Sequence, residues 1–377
     1  TYLPGMRPTW VEVDTGSIAN NIERVRAAIP EKTQIMAVVK ADGYGHGAVP
    51  VAIAALNSGA AFLGVALVEE GIALRRAGIV APILFMESLF PWQASDLVRY
   101  GLTATVASYD SADVLSESAS LLGRKAKVHI KVDTGMGRLG LPPDAILGLV
   151  RHVSGLPRLE IEGIFTHLAC AESDPSMTRR QLELFHDVLS SLAAEGYEIP
   201  IRHVANSAAA LCVPEAAMDM VRIGGAMYGI SPMGSSPLSR GWQPALSFKT
   251  RVSYIKPVKA GATVSYGATY VAPGPELIAT LPVGYADGYS RLLSGRGEVL
   301  IGGVRCPVAG RVCMDQIMAV LPPDSDARVG DEVVLIGKQG REVIYAEDIA
   351  RIMGTIGYEV VCSISKRVPR VYVSSQP

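Results

Sequence analysis

The sequence predicts an α/β chain in which a (β/α)8, TIM-like barrel is followed by a mostly β C-terminal domain. Three observations carry this. Eight short apolar runs rich in β-branched residues lie between residues 35 and 222, and all but the last are followed by helix-patterned sequence. From Lys40 to Arg222 their ends recur about every 26 residues, close to the length of one strand plus one crossover helix. Near Gly241 the texture changes to Val, Gly, Pro and Thr with short strand-like runs. Continuous apolar strands in that rhythm imply a parallel sheet covered by helices. Eight units suit a closed barrel of ~250 residues; an open doubly wound sheet would show the same pattern.

In chain order, segment 9–13 alternates like an edge strand that joins the C-terminal domain. The eight runs are 35–39, 62–65, 83–85, 103–106, 128–132, 161–165, 201–204 and 220–222. Residues 51–68 form an 18-residue stretch without a charge, the length at which a membrane span must be considered. Its middle reads Asn57-Ser58-Gly59, a helix stop, and no basic cluster flanks it, so a buried helix followed by a buried strand is expected. The turn-rich stretch 231–237 precedes the change of texture. The expected domains are therefore 14–240, the barrel, and 1–13 plus 241–377, the β domain, with strands at 277–283, 299–301 and 332–336 and one helix at 345–353.

At 377 residues the chain exceeds the ~250–300 that one core sustains, which fits this division. Hydrophobic residues make up 49% and charged ones 19%, as in a soluble globular protein. The 35 Lys+Arg nearly cancel 36 Asp+Glu, and the basic excess of a nucleic-acid or anionic-membrane binder is missing. Cys170, Cys212, Cys306, Cys313 and Cys362 are few, odd in number and without CxxC spacing, which argues against a disulfide framework and a metal site and fits reduced thiols in a cytoplasm. Residues 1–8 lack a charged region followed by an apolar core, so no secretory leader is expected within them.

In barrels and open α/β sheets alike, chemistry collects at the carboxyl ends of the strands. The first run delivers Lys40 into the glycine-rich loop Ala41-Asp42-Gly43-Tyr44-Gly45-His46-Gly47. Burial of a lysine favours the neutral amine that Schiff-base chemistry needs, although a lysine at a strand end can also simply reach solvent. Alternation on the fifth run puts His129, Lys131 and Asp133 on one face, expected to look into the barrel. Gly135, Gly137 and Gly140 spell GxGxxG, but Leu141-Pro142-Pro143 delays the helix that a dinucleotide site requires. Later strands end in Thr166-His167, His203-Val204-Ala205-Asn206-Ser207 and Arg222-Ile223-Gly224-Gly225. Taken singly, Ser207 reads as an N-cap and Arg222 as a surface or interface arginine. Jointly, a lysine nucleophile opposite a phosphate cradle describes a site for pyridoxal phosphate, which offers an aldehyde and a phosphate.

The segment 37–47 resembles the cofactor-attachment signature of the pyridoxal-phosphate-dependent alanine racemases. Lys131-Val132-Asp133-Thr134-Gly135-Met136-Gly137-Arg138-Leu139-Gly140, His203-Val204-Ala205-Asn206-Ser207, Arg222-Ile223-Gly224, Val264-Ser265-Tyr266-Gly267, Gly284-Tyr285-Ala286-Asp287-Gly288 and Cys313-Met314-Asp315-Gln316 match in the family's order, over about residues 9–372. The resemblance implies a barrel followed by a β domain and a homodimer with shared active sites. It also implies racemisation of L- and D-alanine by two bases on pyridoxal 5'-phosphate, supplying D-alanine for peptidoglycan.

By the same resemblance, Lys40 carries the cofactor and is one base, and Tyr266 of the second subunit is the other. Arg222 faces the pyridine nitrogen, and His167 and His203 connect it to Tyr266. Asn206 belongs to the cofactor site; Tyr44, Ser207, Gly224, Gly225 and Tyr358 bind the phosphate. Arg138 binds the cofactor's phenolic oxygen and, with Met314, the substrate carboxylate, and Lys131 matches a lysine that is carbamylated in many members. Tyr358 and Met314 crowd the substrate side chain. Tyr285, Asp287 and Arg291 match a polar entrance, and Cys313 reads as a packed thiol. Rival readings are a serine or broad-specificity racemase and a non-catalytic cofactor-binding barrel, against which the β domain bearing Tyr266 speaks. The decarboxylases of this architecture depend on a cysteine acid and a different glycine-rich stretch that are not found.

Overall fold

The structure, a computed structural model, describes residues 7–233 and 241–374. The first six residues, the boundary expected at 240/241 and part of the turn-rich stretch before it lie at or outside these limits. By contacts the chain forms two units. One comprises Ala19–Gly43 and Gly47–Met227; the other, among the described residues, comprises 7–18, Tyr44–His46 and the chain from Tyr228 onward. This differs from the expected limits at 14–18, 44–46 and 228–233, which go with the β unit. The cause for 44–46 is packing. The Tyr44 ring lies 4.9 Å from Tyr228 and 5.9 Å from Tyr358, His46 lies 4.6 Å from Tyr228, and a Cβ on Gly45 would sit 2.5 Å from the Val361 carbonyl.

The first strand, β1 (Trp10–Asp14), belongs to the β unit. The other unit is built on eight parallel strands: β2 (Gln34–Val38), β3 (Phe62–Val65), β4 (Ile83–Phe85), β5 (Thr103–Val106), β6 (Ala126–Lys131), β7 (Leu159–Phe165), β8 (Ile201–His203) and β9 (Met220–Ile223). Their order is β8-β7-β6-β5-β4-β3-β2-β9, so the last strand pairs with the first of the series. The remaining seam, between β8 and β9, has single bonds in place of a ladder: Asp219 N–H to Arg202 O at 3.1 Å and Arg222 N–H to Ala205 O at 3.0 Å. The eight runs read from sequence are thus the staves of a nearly closed barrel, and the open-sheet alternative is removed.

Helices alternate with the strands for local reasons. The helix Pro175–Ala194 begins at Asp174, whose Oδ1 accepts the N–H groups of Ser176 and Met177, with Pro175 in the first turn where its missing N–H costs nothing. Residues 51–68 resolve as expected into the helix Ala48–Asn57, a stop at Gly59 with φ 95°, and β3. Among the described residues no helix is long and apolar enough to cross a membrane. Inside the barrel Met36, Phe62, Leu84 and Met220 form one apolar cluster with Met86 and Ile201 against it.

In the β unit, one sheet orders its main strands as 304–307, 298–301, 332–339, 246–251, β1 and 370–373, and a second comprises 254–258, 276–281 and 317–321. The expected edge position of segment 9–13 is wrong. β1 pairs antiparallel with Leu246–Arg251 on one side and parallel with Arg370–Val373 on the other. Alternation reports which face is buried and carries no information about whether both edges are paired. The expected helix appears as Ala346–Met353, and a second, Gly357–Cys362, was not expected.

Candidate active site

Polar side chains gather at the carboxyl ends of the barrel strands. Lys40, half-buried, leaves β2 as the first residue of a left-handed turn: Ala41, Asp42, Gly43 and Tyr44 have φ of 52°, 52°, 60° and 53°. Gly43 N–H bonds to Val39 O at 2.9 Å. Left-handed backbone costs roughly 1–2 kcal/mol for each residue with a Cβ, so Ala41, Asp42 and Tyr44 must be held. Glu70 holds the first: its Oε1 accepts Ala41 N–H at 2.6 Å while Oε2 accepts the N–H groups of Ala66 and Leu67. Asp42 caps Ala48 N–H at 2.9 Å. Backbone strain fixed from several sides is characteristic of functional positions.

Arg222, on β9, is buried. Its NH1 donates to His203 Nδ1 at 3.0 Å and His203 O at 3.1 Å. Its NH2 donates to Thr166 O, Val204 O and His167 Nδ1 at 2.8, 3.0 and 3.2 Å. Nε–H donates to none of the described residues. Burial, and then Arg138, lower the guanidinium to about 9, which leaves it a cation at neutral pH. His167 is pushed far below its usual value by burial and then by Arg222, Arg138, Lys131 and Lys40, so it is neutral and accepts from Arg222 through Nδ1. His203 is likewise held low, by burial and then by Arg222.

Lys131 and His129 do face inward, and both are buried. Lys131 Nζ donates to Val132 O at 2.8 Å and lies 5.3 Å from the centre of the Phe165 ring. Burial, and then Arg222, lower it to about 7. Asp133 departs from the expected inward face. β6 ends at Lys131, and Asp133 turns back to accept the N–H groups of Gly135 and Gly137, both at 3.0 Å. The GxGxxG stretch is therefore a carboxylate-closed turn followed by a 3-10 turn at Pro143–Ala145, and the helix Ile146–Gly155 starts only beyond it, too far on to receive a pyrophosphate at the glycines. Arg138, beyond that turn, is exposed.

Asn206 caps Ser207–Cys212 through Ala209 N–H at 3.0 Å, and Ser207 Oγ accepts Gly224 N–H at 3.0 Å and Ala226 N–H at 3.4 Å. The expected N-cap is thus Asn206, while the Ser207 hydroxyl ties the start of the segment after β8 to that after β9. Two buried or half-buried positions escaped the sequence reading. Glu70 has a signal, since a carboxylate three residues into a helix is a capping position. Gln181 is a polar residue on the buried face of Pro175–Ala194, bonded to Thr134 Oγ1, His167 O and Ala169 N–H.

Comparison with known proteins decides the family. The model for the N-terminal domain of alanine racemase matches residues 13–232, and that for the C-terminal domain matches 245–372. The chain belongs to the alanine racemase family.

Alanine racemase from Symbiobacterium thermophilum is 51% identical over 371 residues, covering 98% of each chain. The alanine racemase of Halothermothrix orenii is 46% identical over 367 residues, covering 97% of each. Among solved structures, alanine racemase from Clostridium difficile 630 superposes with a TM-score of 0.93 at 39% identity, covering 98% of this chain and 96% of the other. The Bacillus anthracis alanine racemase with bound L-Ala-P does so with a TM-score of 0.91 at 41% identity, with the same coverage. The expected resemblance is therefore correct over nearly the whole chain, and the family is one of amino-acid racemases.

The β unit of this alanine racemase family member holds the remaining motif residues. Tyr44 and Tyr358 pack together there. Tyr266, 70% exposed, stands between Ser265 and Gly267, whose φ are 71° and 74°. Ser265 Oγ donates to Arg311 O at 2.6 Å, and Tyr285 N–H and Ala286 N–H donate to the carbonyls of Cys313 and Met314 at 3.0 Å each. The loops carrying Tyr266, Tyr285 and Met314 are thus tied to one another and present all three side chains outward. Cys313 Sγ donates to Arg311 O at 3.6 Å, as a packed thiol does. Asp287, expected with Tyr285 and Arg291 at an entrance, is instead fully buried, paired with Arg7 at 2.5 Å and Arg367 at 2.9 Å. A motif carries the residue type but not the direction in which the side chain points.

Proposed function

We propose that the protein racemises alanine with pyridoxal 5'-phosphate, using two opposed bases in a homodimer whose subunits share their active sites. The observation that carries this is the placement of Lys40 and Arg222 on neighbouring staves of the barrel. Lys40 follows β2 on a strained turn, the neighbouring β9 presents Arg222, and among the described residues the Arg222 Nε–H is the guanidinium donor left over for a ring nitrogen. Residues able to hold the cofactor are Lys40, Arg222 and Asn206, with Ser207, Gly224 and Gly225 for its phosphate; Tyr44 and Tyr358 are assigned to the phosphate by motif. Bound there, pyridoxal 5'-phosphate supplies an aldehyde for the amino group and a conjugated ring that draws electrons from Cα.

Racemisation removes a proton from one face of Cα and delivers one to the other, so it needs two acid/base groups on opposite faces. Lys40 Nζ serves one face and the Oη of the partner subunit's Tyr266 the other. Arg222, a cation at neutral pH, would donate to the ring nitrogen without readily surrendering its proton, which would restrain side reactions. Arg138 takes the substrate carboxylate with its planar fork, aided by Met314 N–H. Carbamylation of Lys131, whose amine is half neutral near pH 7, would replace an ill-matched buried cation with an anion able to orient Arg138. Met314 and Tyr358 would crowd the substrate side chain, which favours a methyl group over larger ones, and the D-alanine formed serves peptidoglycan.

The test is direct. The purified protein should show the yellow absorption of lysine-linked cofactor and interconvert L- and D-alanine, and Lys40→Ala should lose both; a colourless wild type or an active Lys40→Ala overturns the reading. Mixing Lys40→Ala with Tyr266→Phe chains should regenerate roughly a quarter of wild-type activity, because half the dimers are mixed and each has one intact site. No recovery despite verified subunit exchange removes the shared site.

A further inference from the structure

We propose that Glu162 and His129 are positioning residues of this site, terminating a one-directional hydrogen-bond chain that fixes the orientation of Arg222. The inference rests on the reading above in which Arg222 serves the cofactor ring. Its geometry lies wholly inside the barrel. Arg222 NH1 meets His203 Nδ1 at 3.0 Å, His203 Nε2 meets His129 Nδ1 at 2.8 Å, and His129 Nε2 meets Glu162 Oε2 at 3.3 Å. Glu162 is anchored in turn by Lys127 Nζ at 2.6 Å on Oε1 and Thr103 Oγ1 at 3.3 Å on Oε2.

Direction follows from the inventory of donors. A guanidinium only donates, so His203 Nδ1 must accept and its proton must sit on Nε2. That proton is donated to His129 Nδ1, which leaves the His129 proton on Nε2, aimed at the carboxylate. Every junction is satisfied with both imidazoles neutral. A proton added to either ring would set two donors face to face at a junction with no room for water. Both rings are fully buried; Phe165 stacks on His203 at 4.7 Å, and Phe62 and Phe165 flank His129 at 6.3 and 6.4 Å. Burial and the charge of Arg222 depress both histidines, while His129 and Lys127 hold Glu162 down against the effect of its burial.

The carboxylate is in this position because of a bulge. Between β6 and β7 the register passes from Val128↔Ile161 to His129↔Gly163, so Glu162 is the extra residue. Bulges re-aim side chains beside functional sites. The next residue must lack a side chain, because a Cβ on Gly163 would lie 2.6 Å from the His129 ring. Bulge, glycine and carboxylate together make the seat for His129, and through His203 they set the plane of Arg222.

The experiment uses the holoenzyme labelled with 15N-histidine, its signals assigned by their loss in single His→Gln variants. His129 and His203 should both report neutral rings protonated on Nε2 from about pH 6 to 9, where a free histidine would titrate. A proton on Nδ1, or a cation, in either ring overturns the proposal whatever the variants do. In kinetics, Glu162→Leu should lower kcat roughly 10- to 100-fold with KM nearly unchanged, the range seen for groups that orient a ligand without touching it. Glu162→Gln, whose carbonyl can still accept, should lose distinctly less. A folded Glu162→Leu enzyme with wild-type kcat sinks this proposal alone, whereas a wild type that neither binds the cofactor nor racemises alanine sinks the functional reading beneath it.

Discussion

Lys131→Met should make the protein more stable at neutral pH and should abolish a pH dependence that the wild type shows. Lys131 is 4% exposed, and among the described residues no carboxylate lies within ion-pair distance of it. Burial, and then Arg222, lower its pKa from 10.5 to about 7, with Asp133 opposing. A drop of roughly three to four units at 1.36 kcal/mol each means that the folded state carries a penalty of about 4–5 kcal/mol for the charged amine below pH 7. Between about pH 7 and 10 the unfolded chain keeps a proton that the folded chain has released. Stability therefore rises with pH in that window, by up to about 1.4 kcal/mol per unit, and the methionine variant lacks this rise.

The assay is urea unfolding of the cofactor-free protein at fixed concentration, in buffer stripped of carbon dioxide, at pH 7 and about 9. Wild type should gain roughly 2 kcal/mol on Lys131→Met across the interval. Parallel stabilities would refute the argument that Lys131 is a buried, weakly partnered amine. Bicarbonate provides the second arm. A neutral amine attacks carbon dioxide, forming an N–C bond and releasing a proton, and the resulting anion lies among Arg222 and Arg138, the two cations that now disfavour the ammonium. Wild type should then be stabilised and gain the mass of one carbon dioxide, while the variant does neither; an unmodified wild type removes the carbamate.

Two further substitutions test the loops that carry the site. Gly140→Ala places a Cβ 2.8 Å from Asp133 N and 2.9 Å from Lys131 O at a φ of 116°, against backbone that cannot yield. It should cost about 2–4 kcal/mol in urea unfolding, and an unchanged midpoint would contradict the tight closure of that turn. Glu70→Leu removes the acceptor for three backbone N–H groups around the Lys40 turn. A loss of about 2 kcal/mol is expected, together with at least a roughly tenfold fall in kcat from misplacing Lys40. Full activity at wild-type stability would show that the turn holds without it.

The barrel was legible because burial on both faces turns strands into unbroken apolar runs, such as Phe62–Val65 and Thr103–Val106, whose boundaries matched closely. Lys40, Arg222 and the histidines were legible because a polar residue ending such a run has few structural reasons to be there. What stayed hidden depends on register and direction. Glu162 looks like any solvent-facing residue of a half-polar strand start, Leu-Glu-Ile-Glu, and only the extra residue in β7 turns its carboxylate into the barrel. Asp133 and Asp287 erred in the same way: the residue types were right, but the first closes its own turn and the second is sealed between two arginines. The two cases differ from Glu162 in what they can do. Asp133 and Asp287 satisfy local N–H groups and fixed cations, whereas Glu162 ends a chain that begins at Arg222. Its position is therefore the one for which a change of charge, with the fold intact, should be felt at the reacting end of the barrel.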